Sequence, residues 1–228
     1  MYGKRSSRSI PSVLFGAFVS AAIIIAAVAT ALAQRPKMVV AFDKLEAGKA
    51  PAGFSFARTG QGALGKWVVV NDSTAIIGRA IEQSDTDRTD NRFPLAIASG
   101  TPSKNVDVVI RFKAVAGQVD RAGGVAVRVQ SAENYYIARA NALEDNVRFY
   151  RVVGGRREQL AGTDIKVPSG EWLTLGLKAE GDTFTTSFNG KVLFSTKDPT
   201  FAAAGGVALW TKSDSITRFD QLTITPLD

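Results

Sequence analysis

The stretch that most constrains the fold is "EWLTLGLKAEGDTFTTSFNGKVLFSTK", Glu171–Lys197. It holds three runs of alternating apolar and polar residues, separated by Gly181-Asp182 and by Asn189-Gly190. A period of two is the repeat of a strand with one buried face. Asn-Gly suits a two-residue type I′ turn, because both central residues there need positive φ. This stretch therefore reads as three strands joined by tight turns.

The same period recurs in "VDVVIRF" (Val106–Phe112), "GVAVRVQ" (Gly124–Gln130), "NYYIARAN" (Asn134–Asn141) and "VRFYRVV" (Val147–Val153), and again in "GVALWTK" and "SITRFDQLTIT". No comparable window carries a capped helical period. Ten or more short strands around one core predict an all-β fold, a two-sheet antiparallel sandwich. Alternation also assigns faces. Val125, Val127 and Val129 point inward with Arg128 outward; Leu173, Leu175 and Leu177 form another inward row; Val207 and Leu209 face in, leaving Trp210 and Lys212 out. An outward Trp210 is either part of a binding surface or is covered by a crossing loop.

The N-terminus differs in kind. Lys4, Arg5 and Arg8 precede an uncharged apolar run, Val13–Ala33, that ends in Ala31-Leu32-Ala33. This is the pattern of a secretory signal helix cleaved after Ala33, with an uncleaved anchor as the alternative. Residues 34–41 are then a short lead-in, and residues 42–228 form one domain. The expected address is periplasmic or extracellular, with no membrane span after cleavage. Loss of the signal removes three of the basic residues behind the formal charge of +7. The remaining positive charge is spread along strands, which argues against a nucleic-acid partner.

The chain has no cysteine and no histidine. A domain of this size buries a sufficient core without disulfides. The missing histidine excludes Ser-His-Asp triads, Cys-His pairs and imidazole acid–base chemistry. Any catalysis falls to carboxylates, Lys, Tyr or an oxygen-ligated metal. "NYYIARANALEDNVRFYRVVGG" (Asn134–Gly155) concentrates the candidates. Glu144 and Asp145 are adjacent and fall in the turn "ALEDN", which is poor geometry for a paired-carboxylate glycosidase. Sugar sites combine aromatic faces with planar polar groups. The candidate ligand surface is accordingly Arg128, Tyr136, Arg139, Asn141, Asn146, Arg148, Trp210 and Lys212. If Tyr135 and Ile137 point inward, alternation turns Arg139 inward too unless a bulge intervenes. A buried Arg139 then needs a carboxylate partner, with Glu144 or Asp145 the nearest in sequence.

The run "RFKAVAGQVDRAGGVAVRVQSAENYYIARANALEDNVRFYRVVGGRREQL", with "VPSGEWLTLGLKAEGDTFTTSFNGKVLF" and "GGVALWTKSDSITRFDQLTI", resembles the concanavalin A-like jelly-roll superfamily. Within it the likeness is to laminin-G-like domains of bacterial exported proteins, including the 3-keto-disaccharide hydrolase group. The resemblance implies a jelly roll that often binds sugars, and fold alone assigns no chemistry. The expected function is an exported, non-catalytic carbohydrate-binding or adhesion module whose partner is a carbohydrate or cell-envelope glycan. The alternative is a hydrolase or lyase on 3-keto-disaccharides, with Glu144 as base, Arg139 or Arg148 as stabiliser and Tyr136 assisting; a structural envelope protein is the third. No cofactor is required. A structural calcium ion between Asp43 and Asp220 is a further expectation, because first and last strands commonly pair in such sandwiches, although two aspartates supply few of the oxygens calcium needs.

Overall fold

The structure is a computed structural model that describes residues 1–3, 37–40 and 42–227. The expected signal segment and half of the expected lead-in, residues 34–36 and 41, lie outside the described residues. The strands, in chain order, are β1 (Met38–Val39), β2 (Phe54–Gly60), β3 (Trp67–Asn71), β4 (Arg79–Gln83) and β5 (Arg92–Ala98). They continue with β6 (Val106–Ala116), β7 (Ala122–Ser131), β8 (Asn134–Asn141), β9 (Asn146–Val153) and β10 (Arg156–Asp164). The last are β11 (Leu173–Glu180), β12 (Thr183–Phe188), β13 (Lys191–Lys197), β14 (Gly206–Thr211) and β15 (Ile216–Pro226). One 3₁₀ turn spans Phe42–Lys44.

These strands form two antiparallel sheets. The back sheet has the order β13-β12-β11-β6-β15-β4-β3, with β1 paired to β15. The front sheet has the order β10-β9-β8-β7-β14-β5-β2. The expected two-sheet sandwich is observed. Its inner core takes Ile110, Phe112, Leu173, Leu175, Leu177 and Phe219 from the back, and Val125, Val127, Phe149, Val207 and Leu209 from the front. Asn189 (φ 47°) and Gly190 (φ 76°) make the turn between β12 and β13 in the left-handed region, as the Asn-Gly pair requires.

The outward face of the back sheet carries an ion network. Asp72 takes Lys113 Nζ and Arg218 Nη1 (2.9 Å), and Arg218 Nε reaches Glu82 at 2.6 Å. Burial raises the Asp72 carboxyl, but the bonds from Lys113, Thr74 and Arg218 outweigh it and hold the group well below the usual range.

The front sheet is curled. Thr59 of β2 and Tyr135 of β8 stand four strand positions apart, about 19 Å along a flat sheet. Yet the Thr59 hydroxyl lies 2.7 Å from the Tyr135 hydroxyl and also donates to the Ala132 carbonyl. Such closure makes the face turned away from the inner core concave. A second apolar cluster fills part of that hollow: Phe93, Leu95, Tyr135, Ile137, Tyr150, Val152 and Trp210. Parity is therefore right for Trp210, while the exposure considered for it is wrong. Trp210 is fully buried, stacked on Phe93 (5.5 Å between centroids), with its indole N–H on the Tyr135 oxygen.

Two further expectations are corrected. Arg128 adopts φ 49° where the β7–β8 register shifts between Val127 and Ser131. That irregularity breaks alternation, places Val129 in the second cluster and buries Arg128. Its guanidinium donates to the carbonyls of Lys104 (2.8 Å), Phe201 (2.8 Å) and Gly181 (2.5 Å), so it ties loops together. Tyr136 belongs to the inner core, 4.2 Å from the Phe184 ring, and its hydroxyl donates to Asp198 at 2.6 Å. Both side chains are buried, where the exposed ligand face expected of them would have left them open.

Candidate functional site

The connection Ala142–Asp145 between β8 and β9 is a turn, and Asp145 takes its left-handed position at φ 48°. Asn141 shapes it: its side-chain oxygen accepts the Leu143 N–H at 2.9 Å and the Glu144 N–H at 3.4 Å. Asp145 then points away to Lys166 (2.8 Å) and to the Val167 N–H. Glu144 turns back over the concave face and accepts from Arg139 Nη2 at 2.7 Å. Of the two carboxylates suggested as partner for a buried Arg139, Glu144 is the one used.

Arg139 itself is 5% exposed. It shares the concave face with Tyr150, donating to Asn146 Oδ1 and to the Tyr150 oxygen (3.1 Å). Asn146 Nδ2 returns to Glu144 at 3.1 Å, so Arg139, Glu144 and Asn146 form a closed polar ring, with Tyr150 attached to it through Arg139. Burial raises the Glu144 carboxyl, but the Arg139 charge and the bonds from Asn146 and Arg139 hold it below its ordinary value.

A second group adjoins it. Asp214 accepts the N–H groups of Gln118, Val119 and Asp120, which shapes the loop between β6 and β7 and presents Asp120. Asp120 receives Asn141 Nδ2 (2.7 Å) and Lys212 Nζ (2.7 Å); Lys212 also holds Asp90 at 2.9 Å. Burial pushes the Asp120 carboxyl up against the pull of Lys212. For Lys212, the Asp120 and Asp90 carboxylates overcome burial and push the ammonium up.

Arg148 lies on the same face, at the rim. Its guanidinium meets Asp164 at 2.5 Å, and its stem passes over Gly162, where a Cβ would stand 2.3 Å from Arg148 Cδ. Of the eight candidate ligand residues, the structure thus groups Arg139, Asn141, Asn146, Arg148 and Lys212 on one face. Trp210 lies beneath it, and Arg128 and Tyr136 are elsewhere. Sequence reasoning passed over Asp120 and Arg157. Asp120 reads as an ordinary loop aspartate in "GQVDRAGG", and Arg157 as part of a hairpin tip in "VGGRRE".

Asp43 and Asp220 do line one small cavity, and β1 does pair β15. Asp220 is however engaged by Arg111 and by the Ile76 N–H, and the rest of the lining is largely apolar. Among the described residues no group of three or more acidic side chains is placed to hold a metal ion. The donor set does not fit calcium's six to eight oxygens.

The fold defines the class as an antiparallel two-sheet β-sandwich with a curled front sheet. No family model matches the chain, and no curated protein matches it. Among solved structures it is similar to the carbohydrate-binding module CBM66 from Bacillus subtilis, at 19% identity and TM-score 0.59, over 75% of this chain and 94% of that one. It is also similar to the Bacillus licheniformis β-glucanase, at 8% identity and TM-score 0.54, over 83% of this chain and 97% of that one. A third is a Bacillus subtilis protein with a galectin-like fold, at 9% identity and TM-score 0.50, over 75% of this chain and 88% of that one. At such identities the likeness is one of fold. Among the described residues no helix is long and apolar enough to cross a membrane.

Proposed function

We propose that this chain is an exported, non-catalytic carbohydrate-binding module whose ligand lies on the concave face of the front sheet. The observation that carries the reading is the ring of Arg139, Glu144 and Asn146, with Tyr150 bonded to Arg139 and with Arg148 and Lys212 on the same face. It gathers planar, charge-assisted donors and acceptors on the face of a hollow, which is what sugar hydroxyls need. The similar module from Bacillus subtilis, carbohydrate-binding by name, supports it. Opposite shifts at Asp120 and Glu144 would suit an acid–base pair. Against that, Asp120 is 1% exposed and both of its oxygens are engaged. Glu144 is spent on Arg139, and Tyr136 is too deep to assist. The hydrolase or lyase reading on 3-keto-disaccharides therefore stands second.

The test is a glycan array followed by calorimetry on the purified chain. A saccharide should bind with affinity in the micromolar-to-millimolar range, and Arg148→Ala should weaken it about tenfold, or roughly 1.4 kcal/mol. Failure to retain any saccharide would sink the reading. Turnover of 3-keto-glucosides that disappears in Glu144→Gln would replace it with the hydrolase or lyase.

A further inference from the structure

Edge strand β10 sends one guanidinium onto the concave face. Arg157 pairs with Val152 of β9, which belongs with Phe93, Tyr150 and Trp210 to the apolar cluster of that face. Arg156, one residue away and paired with Val153, points to the opposite face. The Arg157 guanidinium stands 4.4 Å from the Tyr150 ring centre, 4.7 Å from Phe93 and 5.9 Å from Trp210. All three rings are buried, whereas Arg157 is only half-buried. The guanidinium is thus a cover between an aromatic floor and solvent.

What holds the cover in place is weak. The Arg157 side chain makes no hydrogen bond and no ion pair among the described residues, and its Nη1 is buried without a partner. Burial pulls the guanidinium below its ordinary pKa. Other buried arginines are answered. Arg92 meets Asp85 at 3.1 Å and donates to the Ala63 and Ser213 carbonyls; Arg139 has Glu144, and Arg128 has a set of carbonyls. A guanidinium withdrawn from water without a partner is costly, and ring faces offset only part of that cost. Swinging the side chain out restores its hydration but bares three rings, so the exchange is favourable only when something apolar takes its place. A sugar ring has that character on its C–H face, with hydroxyls around its rim. Tyr150 puts both needs side by side: Arg157 lies over its ring, and its hydroxyl accepts from Arg139 of the polar ring at 3.1 Å.

We propose that Phe93, Tyr150 and Trp210 form a covered aromatic subsite, with Arg157 as its displaceable cover, and that the ligand that takes the place of Arg157 is a pyranose ring stacked through its C–H face. The inference rests on the carbohydrate-binding reading and adds to it the surface on which the sugar stacks.

Tryptophan emission reads the exchange, because Trp67 belongs to β3 and Trp172 lies against Arg111 and Lys113 of β6, both strands of the back sheet. The purified chain is titrated with neutral probes: cellotetraose, xylotetraose, mannotetraose and laminaritetraose. A bound tetraose should change the emission of the wild type, and Trp210→Phe should remove most of that change. Arg157→Ala, checked for its fold by circular dichroism, should bind the same tetraose about three- to tenfold more tightly, since the ligand no longer displaces a cation–π contact. Its unliganded form should also be quenched more strongly by acrylamide than the wild type. Arg156→Ala, an equal loss of charge on the opposite face, should alter neither affinity nor quenching. The subsite is overturned if Arg157→Ala binds equally or more weakly, because Arg157 is then no cover; the carbohydrate reading survives that result. It is overturned too if Arg156→Ala acts as strongly as Arg157→Ala, since the effect is then one of diffuse charge. A tetraose that binds without changing Trp210 emission also overturns it, and this readout decides the matter even where Arg157→Ala fails to fold. If no tetraose binds, the subsite falls, and the carbohydrate reading falls with it only where the glycan array is blank as well.

Discussion

Glu144→Gln tests the polar ring directly. Glu144 accepts from Arg139 at 2.7 Å and from Asn146 at 3.1 Å, with side-chain exposures of 44% for Glu144 and 6% for Arg139. Stripping a fully buried arginine of its carboxylate costs about 3–5 kcal/mol, whereas an exposed pair contributes about 0.2–1 kcal/mol. Three facts place this pair between those limits. Glu144 is close to half exposed, Arg139 keeps Asn146 and Tyr150, and glutamine still offers an acceptor. The expected loss near neutral pH is therefore about 1–1.5 kcal/mol, a fall in Tm of roughly 2–5 °C for a domain of this size. The sign with pH follows from the lowered carboxyl. A group depressed in the folded state stabilises above its unfolded pKa of about 4.3, and that contribution is lost as pH falls through the folded value. Urea unfolding of wild type and Glu144→Gln should differ near pH 7 and converge progressively below about pH 4. A gap that persists unchanged in acid would refute the ion pair as its source, and no gap at neutral pH would refute the ring.

Three other outcomes are expected. Trp210→Ala should cost about 3–5 kcal/mol in chemical denaturation, because the indole is fully buried and stacked on Phe93; a surface tryptophan would cost far less. Gly190→Ala should cost about 1 kcal/mol in Tm-derived stability, since φ 76° penalises a Cβ while a built Cβ meets no neighbour there. Asp72→Asn leaves Lys113 and Arg218 short of a carboxylate and should cost about 2 kcal/mol near neutral pH. Because the Asp72 carboxyl is depressed, the wild-type advantage should shrink on acidification below about pH 4, and an advantage that grows in acid would contradict it.

What was legible in the sequence is what depends on neighbours along the chain. Parity along β11 put Leu173, Leu175 and Leu177 in the core, and Asn189-Gly190 announced its turn. The expected demand of a buried Arg139 for a carboxylate is met by Glu144, five residues away. Parity fails where the backbone adds an irregularity that no residue type advertises, as at Arg128, whose positive φ in a non-glycine residue is intrinsically uncommon. Edge strands β2 and β10, with their weaker alternation, were likewise passed over.

Exposure is a different matter, because it depends on curvature, and curvature here is set by contacts far apart in sequence. Thr59 meets Tyr135 across 76 positions, and that closure converts the outward face of β14 from surface to interior. It makes the hollow in which Arg157 can cover Trp210, and it turns a row of alternating residues into a site. Face assignment alone therefore cannot select ligand residues in a curled sandwich. It named Trp210, which the hollow consumes as its floor, and missed Arg157, which stands over that floor with its charge unanswered. In such a fold the polar group left without a protein partner is the better guide to what the hollow receives.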